Sequence, residues 1–422
     1  MNNPLDKSYY IDFIIINLVL LFLLADTITG VAIKYNLPSV SQPFKIVLMS
    51  LMLLRIMQNS VMVFVFLFGI ISLFFIPVIF VFYSTGGNTL YFAENLSGFL
   101  KISNLFVSFF YFKNIFFQRF YERKSYFFMK IISYSYFFVF LNLILGLLGF
   151  GYEAYAGGIG SNGFFYSTNE VSTVMIIFHS VFLFYIFETS SPKKYVLFGL
   201  GLVFLSLVKA SKVSIVGTFL IFILVPIVNY KLNIRRLKLT DIKYGCVSLL
   251  ILILASSGIY YGMEQSGLLD RMIYFYTLFE GNLVTFLLSS RDEFVAAGLI
   301  QFQKSNFFEI LFGLGSKSAQ DLMIPIIGVP KTMEVDFFDI LFAHGIIGVV
   351  IIFTFMLSCT SIAYKRWKMQ GDVKFLMLVV CNLLVLVISF TAGHVFTGGM
   401  VTLFIGLVNG YVLTRKNTEL LQ

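Results

Sequence analysis

The chain has 422 residues, of which 59% are hydrophobic and only 12% charged. Soluble domains carry about a quarter charged residues, so composition excludes an ordinary soluble fold. It points to an all-α, polytopic membrane protein, read as a single membrane domain over 1–422. The formal net charge of +9 sets topology in such a chain and does not argue for a nucleic-acid partner. Three cysteines (Cys246, Cys359 and Cys381) show no CxxC or Cys/His spacing, so neither a disulfide framework nor a metal site is expected.

About twelve stretches approach the roughly 20 apolar residues that a helix needs to cross the hydrocarbon core. They lie near 10–30, 44–58, 61–83, 96–117, 126–150, 170–188, 195–208, 212–229, 243–262, 337–358, 374–391 and 395–414. The second, seventh and eighth are short or poorly separated. No small-residue cleavage site follows the first, so it is expected to stay as a signal anchor.

Alternate loops carry the basic residues: Arg119, Arg123 and Lys124; Lys193 and Lys194; Lys231 to Lys243; Lys365 to Lys374; Arg415 and Lys416. The intervening loops 84–95 and 151–170 have none. Lysine and arginine stay on the cytoplasmic side. Both termini are therefore expected in the cytoplasm, with the long loop 263–336 and the tight Lys209–Lys212 turn facing outward.

That long loop collects the charges the rest of the chain lacks. LLDRMIYFYTLF and RDEFVAAGLIQFQ place apolar residues at helical spacing and predict helices lying on the outer membrane surface. FGLGSK and IPIIGVP predict turns. GGIGSNG at 157–163 contains a GxGxxG pattern. A dinucleotide site would need a preceding strand and a following crossover helix, and here the pattern is expected to be a flexible turn.

Candidate functional residues gather at the same face. Lys209 and Lys212 in KASKVS either snorkel to head groups or meet an anionic ligand, since short outer loops disfavour lysine. Arg291 either pairs with Asp292 or Glu293 or offers its guanidinium fork to phosphate. Arg271 is a weaker candidate of the same type. Glu334, Asp336 and Asp339 straddle the start of the tenth span. Helix capping explains one or two acids there, not three. Asp339 lies one turn in, where an ionisable group is costly and usually functional. A carboxylate in such a place suits a general base, with at most one of Glu334 and Asp336 serving. Asn169 and Glu170 enter a span from outside and are expected to line the same cavity as Asp339. His179 reads as a satisfied mid-span residue, whereas His344 and His394 are candidates to reach the cavity.

Taken in order, KASKVS, SSRDEF, FGLGS and EVDFFDILFAHGIIGVV resemble the O-antigen polymerase and ligase superfamily, which includes Wzy-like polymerases of surface polysaccharide. The resemblance spans roughly 165–350 by motif and the remainder by span count. It implies a metal-independent inverting glycosyltransferase that uses undecaprenyl-diphosphate-linked oligosaccharide at the outer face of the bacterial inner membrane. It implies no cofactor, contact with membrane lipid, and room for a chain-length regulator protein as partner. By position it makes Arg291 the arginine that opens the loop helix and Lys212 the counterpart of an arginine in the tight turn. Lysine there is a departure, because it cannot form the bidentate fork. Arg291, Lys212, Lys209 and Arg271 are then the diphosphate-binding set, with Glu334 first and Asp336 second as base. Ligases of the superfamily carry a histidine near Glu334, so its absence favours a polymerase over a ligase. A transporter also fits the span count, but transporters place charges at the midplane and often show repeats. Here the charges sit at the outer boundary and no repeat is visible.

Overall fold

Long apolar runs become the membrane helices. A computed structural model describes residues 7–155, 159–229, 264 and 268–415. Its first helices, α1 (Lys7–Leu20) and α2 (Phe22–Lys34), form one pair bent by 47°. Then come α3 (Ser41–Asn59), α4 (Val61–Ser84), α5 (Thr89–Tyr111) and α6 (Lys124–Leu147). A hairpin of β1 (Tyr152–Tyr155) and β2 (Ile159–Gly163) follows, then α7 (Thr168–Thr189), α8 (Pro192–Lys209) and α9 (Lys212–Asn229). The long loop holds α10 (Leu268–Leu278), α11 (Leu283–Leu288), α12 (Arg291–Phe302), α13 (Phe307–Phe312), α14 (Ser316–Asp321) and α15 (Ile324–Ile327). The chain closes with α16 (Asp336–Gln370), α17 (Val373–Thr391) and α18 (Val401–Leu413).

Helices stand at every expected span except 243–262, which lies outside the described residues. The architecture is an all-α membrane bundle. Among the described residues six helices are long and apolar enough to cross a membrane, or seven if the bent pair is one span. The expected count of about twelve is therefore not reproduced. The helices that fall short carry charges within the run, such as Lys45 and Arg55 in α3 or Glu94 and Lys101 in α5, or are short, as α18 is with 13 residues.

α4 shows how the sequence makes its own boundary. Ser60 caps it, its hydroxyl accepting from Val63 N at 3.4 Å. Val61, Met62, Val65, Phe66 and Phe68 all stand exposed on its outer face. Water would not tolerate such a patch, whereas lipid does. Asn88 then caps α5 by accepting from Leu90 N and Tyr91 N. Several buried polar side chains inside the bundle pair with one another, as a lipid-embedded setting favours. His179 lies between the Tyr136 hydroxyl at 2.9 Å and the Thr218 hydroxyl at 2.7 Å, the satisfied residue its mid-span position predicts. Asn382 and Asn409 bond reciprocally at 2.9 and 3.1 Å.

Asp12 accepts from Arg55, Arg119 and the Tyr111 hydroxyl where α1 begins and α3 and α5 end. At the opposite end, the β-hairpin, the loops and the starts of α3, α5, α7, α9 and α16 meet. There the GxGxxG stretch is not the expected flexible turn. Residues 159–163 form a strand antiparallel to Tyr152–Tyr155, and Ser161 and Asn162 are buried against the bundle. Residues 156–158 lie outside the described part.

Both expected loop helices are present, as α10 and α12. Phe302 on α12 joins Ala319, Met323, Met333, Phe342 and Ala343 in a small core of its own. The loop is thereby packed onto the first turns of α16.

Candidate active site at one end of the bundle

The site is organised by a break in α16. Gly345 takes φ +67° and ψ −172°, a conformation essentially confined to glycine. The break exposes the carbonyls of Phe342 and Ala343. Leu314 N and Gly315 N, in the FGLG turn, donate to them at 2.8 and 3.0 Å. The approach leaves no room for side chains: a Cβ on Gly345 would stand 2.2 Å from Leu311 O. Two separate sequence motifs, FGLGS and HGIIG, are thus halves of one contact. Above it, 336–344 is a short helical piece carrying Asp336, Asp339 and His344.

The three acids have different surroundings. Asp336 is fully buried, and both oxygens are taken. Oδ2 accepts from Val395 N and Phe396 N, and Oδ1 accepts from the Thr397 hydroxyl at 2.9 Å. Asp336, the second candidate for the base, therefore has both oxygens engaged in pinning the segment entering α18. Asp339 Oδ1 accepts from Met333 N at 2.8 Å, while its buried Oδ2 has no partner among the described residues. Glu334 adopts a left-handed backbone (φ +59°), and its Oε2 accepts from Arg291 Nη2 at 2.7 Å and Nε at 3.2 Å. Burial alone would raise the Glu334 carboxyl. The Arg291 charge and hydrogen bonds outweigh burial and, with His394 and Lys331, hold it below the usual carboxylate range.

Arg291 therefore does not pair with its sequence neighbours. Asp292 instead accepts from the Thr285 hydroxyl at 2.8 Å. A further Arg291 N–H donates to Thr391 O at 3.0 Å, tying the loop to the end of α17. Lys212 meets the same loop: its Nζ donates to Phe286 O at 3.0 Å and to the Ser289 hydroxyl at 3.4 Å, and lies 4.3 Å from the Phe286 ring centroid. Lys209 faces elsewhere. Ala210 turns left-handed (φ +54°) between the two lysines, and Lys209, fully buried, donates to Asn162 Oδ1. Its place in the diphosphate set is not supported by that contact. Arg271 lies in α10, and its side chain is outside the described residues. Asn169 donates to Ala392 O at 3.2 Å and is not among the cavity-lining residues.

Two cavities of about 390 Å³ each open beside this cluster. Asp339, His344 and His394 line the first. His344 packs edge-on to Phe74, and its buried Nδ1 has no partner among the described residues. Asp26, Lys45 and Glu170 line the second. Gln42, Ala93, Ser97 and Lys101 line both. Lys45 and Lys101 are not among the candidates that motif and spacing single out. The available signal was a charge inside each of two apolar runs, where ionisable groups are rare and usually functional.

Fold and site together define a multi-pass α-helical membrane protein with an ionic cluster and polar cavities at one end of the bundle. Residues 275–419 match the family described as O-antigen ligase like membrane protein. The match supports the O-antigen polymerase and ligase superfamily without separating its two activities. It takes in Arg291, Glu334, Asp336, Asp339 and His344, and leaves out Asn169, Lys209, Lys212 and Arg271. No curated protein matches the chain, and no solved structure does.

Proposed function

We propose that the chain is a membrane glycosyltransferase that polymerises undecaprenyl-diphosphate-linked oligosaccharide units at the periplasmic face of the bacterial inner membrane, with both termini in the cytoplasm. The observation that carries this is the Arg291–Glu334 pair, a guanidinium fork beside a carboxylate, with Lys212 on the loop that leads to it. In the resting protein the two hold each other. A diphosphate carries more charge than one carboxylate and matches the planar fork, so its arrival draws Arg291 away and leaves Glu334 more basic.

The reaction is then a single displacement. The acceptor hydroxyl oxygen attacks the anomeric carbon of the growing chain from the face opposite its diphosphate. Glu334 takes the hydroxyl proton. The bond from the anomeric carbon to the diphosphate oxygen breaks, and its electron pair leaves with the lipid diphosphate. Arg291 and Lys212 stabilise that developing charge electrostatically, with no metal required. Configuration inverts because there is one attack.

The second reading is a ligase that moves finished polymer onto lipid A-core, favoured by the description of the matching family. Deleting the gene in a smooth-surface host and resolving its lipopolysaccharide on a gel tests both. Core bearing one repeat unit is the polymerase outcome. Bare core is the outcome for a ligase or a flippase and overturns the first reading.

A further inference from the structure

Neither Arg291 nor Glu334 lines the two cavities that meet at Lys101. Lys101 is half-buried and has no hydrogen bond or ion pair among the described residues. It lies about 18 Å along α5 from the helix start, at 1.5 Å per residue. An ammonium held there without a counter-charge is costly. Lys45, by contrast, is neutralised by Asp26 Oδ1 at 2.7 Å and lies 4.9 Å from the Phe22 ring centroid. The two lysines flank one point on the chain. A Cβ on Gly399 would stand 3.2 Å from Lys45 Nζ and 3.9 Å from Lys101 Cε.

The two adjoining cavities differ. The first is lined by Asp339 and His344, whose buried Oδ2 and Nδ1 have no partner among the described residues. The second is lined by Ile33, Ile46 and Tyr166, which are 37%, 41% and 69% exposed on the outside of the bundle. The first cavity is the more polar of the two and the second the more apolar, and Lys101 lines both.

We propose that the adjoining cavities are a second anion site, in which Lys101, with Lys45 beside it, takes a phosphate or diphosphate group that carries an apolar tail. The tail leaves past Ile33, Ile46 and Tyr166, and a polyhydroxyl head lies against Asp339 and His344. Resting on the glycosyltransferase reading, the occupant is the acceptor lipid-linked unit, while Arg291 and Lys212 serve the donor. A polymerase must hold two lipid diphosphates at once, and Lys101 offers a cation apart from Arg291, in cavities where Asp26 is held by Lys45 and Glu170 by Met400 N.

The test is calorimetric titration of the purified full chain in detergent with farnesyl diphosphate, in wild type, Lys101→Met, Lys101→Arg and Arg291→Ala. Lys101→Met is expected to lose one class of binding, its affinity falling about tenfold or more, the scale of a lost charge-assisted hydrogen bond. Lys101→Arg keeps it. Removing an unpaired cation from an apolar helix does not destabilise, so Lys101→Met should melt at or above wild type. That separates lost binding from a lost fold. Binding by Lys101→Met equal to wild type overturns the proposal. If Arg291→Ala loses no binding but Lys101→Met does, the second site stands and the donor assignment of Arg291 fails instead. Inorganic diphosphate binding as tightly as farnesyl diphosphate, in a Lys101-dependent way, overturns the role of the tail. Displacement of farnesyl diphosphate by phosphatidylglycerol in mixed micelles overturns the acceptor assignment in favour of a bulk lipid head group.

Discussion

Glu334→Gln separates a chemical role from a structural one. Glutamine keeps an oxygen that can accept from Arg291, so the contact at 2.7 Å need not be lost. The pair is partly shielded, with the Arg291 and Glu334 side chains 13% and 28% exposed. Its loss of charge should cost about 1–2 kcal/mol, between the surface and buried limits for ion pairs. Turnover should fall far more, by roughly 10²–10⁴, the usual worth of a proton acceptor. The pH dependence is sharper still. Arg291 holds the resting Glu334 carboxyl below the usual range, so the acid limb of kcat/KM, which reports the free enzyme, should lie below the ordinary glutamate region. The acid limb of kcat reports the loaded enzyme. If diphosphate draws Arg291 away, that limb should move to higher pH. Because the resting pKa is depressed, the pair's contribution to stability is complete above the ordinary glutamate value and is lost as pH falls through the lower folded one. The assay is polymer formation by purified protein in liposomes across pH, with melting followed in parallel. A rate loss under tenfold in Glu334→Gln, or acid limbs that coincide, would refute the exchange of partners.

Arg291→Ala should abolish polymer with protein still in the membrane, and Arg291→Lys should recover little, since lysine lacks the planar fork; full polymer on a gel from Arg291→Ala cells would leave only a structural ion pair. Asp336→Asn should lower stability by about 1–3 kcal/mol, because an amide cannot accept at both positions facing Val395, Phe396 and Thr397, while turnover per folded molecule survives; a normal melt with no turnover would make Asp336 the base. Gly345→Ala should cost about 1–3 kcal/mol in backbone strain alone, more with the clash at Leu311 O, and should expose the 313–315 turn to proteolysis. In a cysteine-free background, Ser84→Cys should react with an impermeant thiol reagent from outside the cell and Gln370→Cys should not; the reverse labelling would invert the proposed topology.

The helices were legible wherever apolar residues ran on without interruption, as in α4, α7 and α17, because lipid selects composition directly. Their tertiary partners were not. FGLGS and HGIIG each announce glycines, but no local rule says that one turn caps the carbonyls freed by the other's break. Arg291 carries two acids immediately after it, and local proximity favours them. Its partner is instead Glu334, a pairing set by the loop packing onto α16 through Phe302, Met333 and Phe342. Lys209 and Lys212 looked equivalent in KASKVS. One left-handed residue, Ala210, sends one to the hairpin and the other to the loop. The acids at 334, 336 and 339 were found as a cluster, yet their roles depend on donors from Arg291, Val395 and Met333 that spacing cannot supply.

Two of the helices too polar to qualify as spans, α3 and α5, wall the cavities. α3 and α5 carry Lys45 and Lys101, which both line the second cavity, while Lys101 lines the first as well. A helix whose whole circumference met lipid could not keep such residues. Each interrupted run therefore marks a helix with one face turned to a polar space, while the uninterrupted α4 faces outward. The departures from ideal hydropathy identify the cavity walls from sequence, before any motif is consulted. That reasoning bears on Lys101 itself. If the charge served only topology, it would sit at a helix end near the head groups, where lysine is cheap. It stands instead well within α5, half-buried on the wall of two cavities, the placement that the proposed anion site uses.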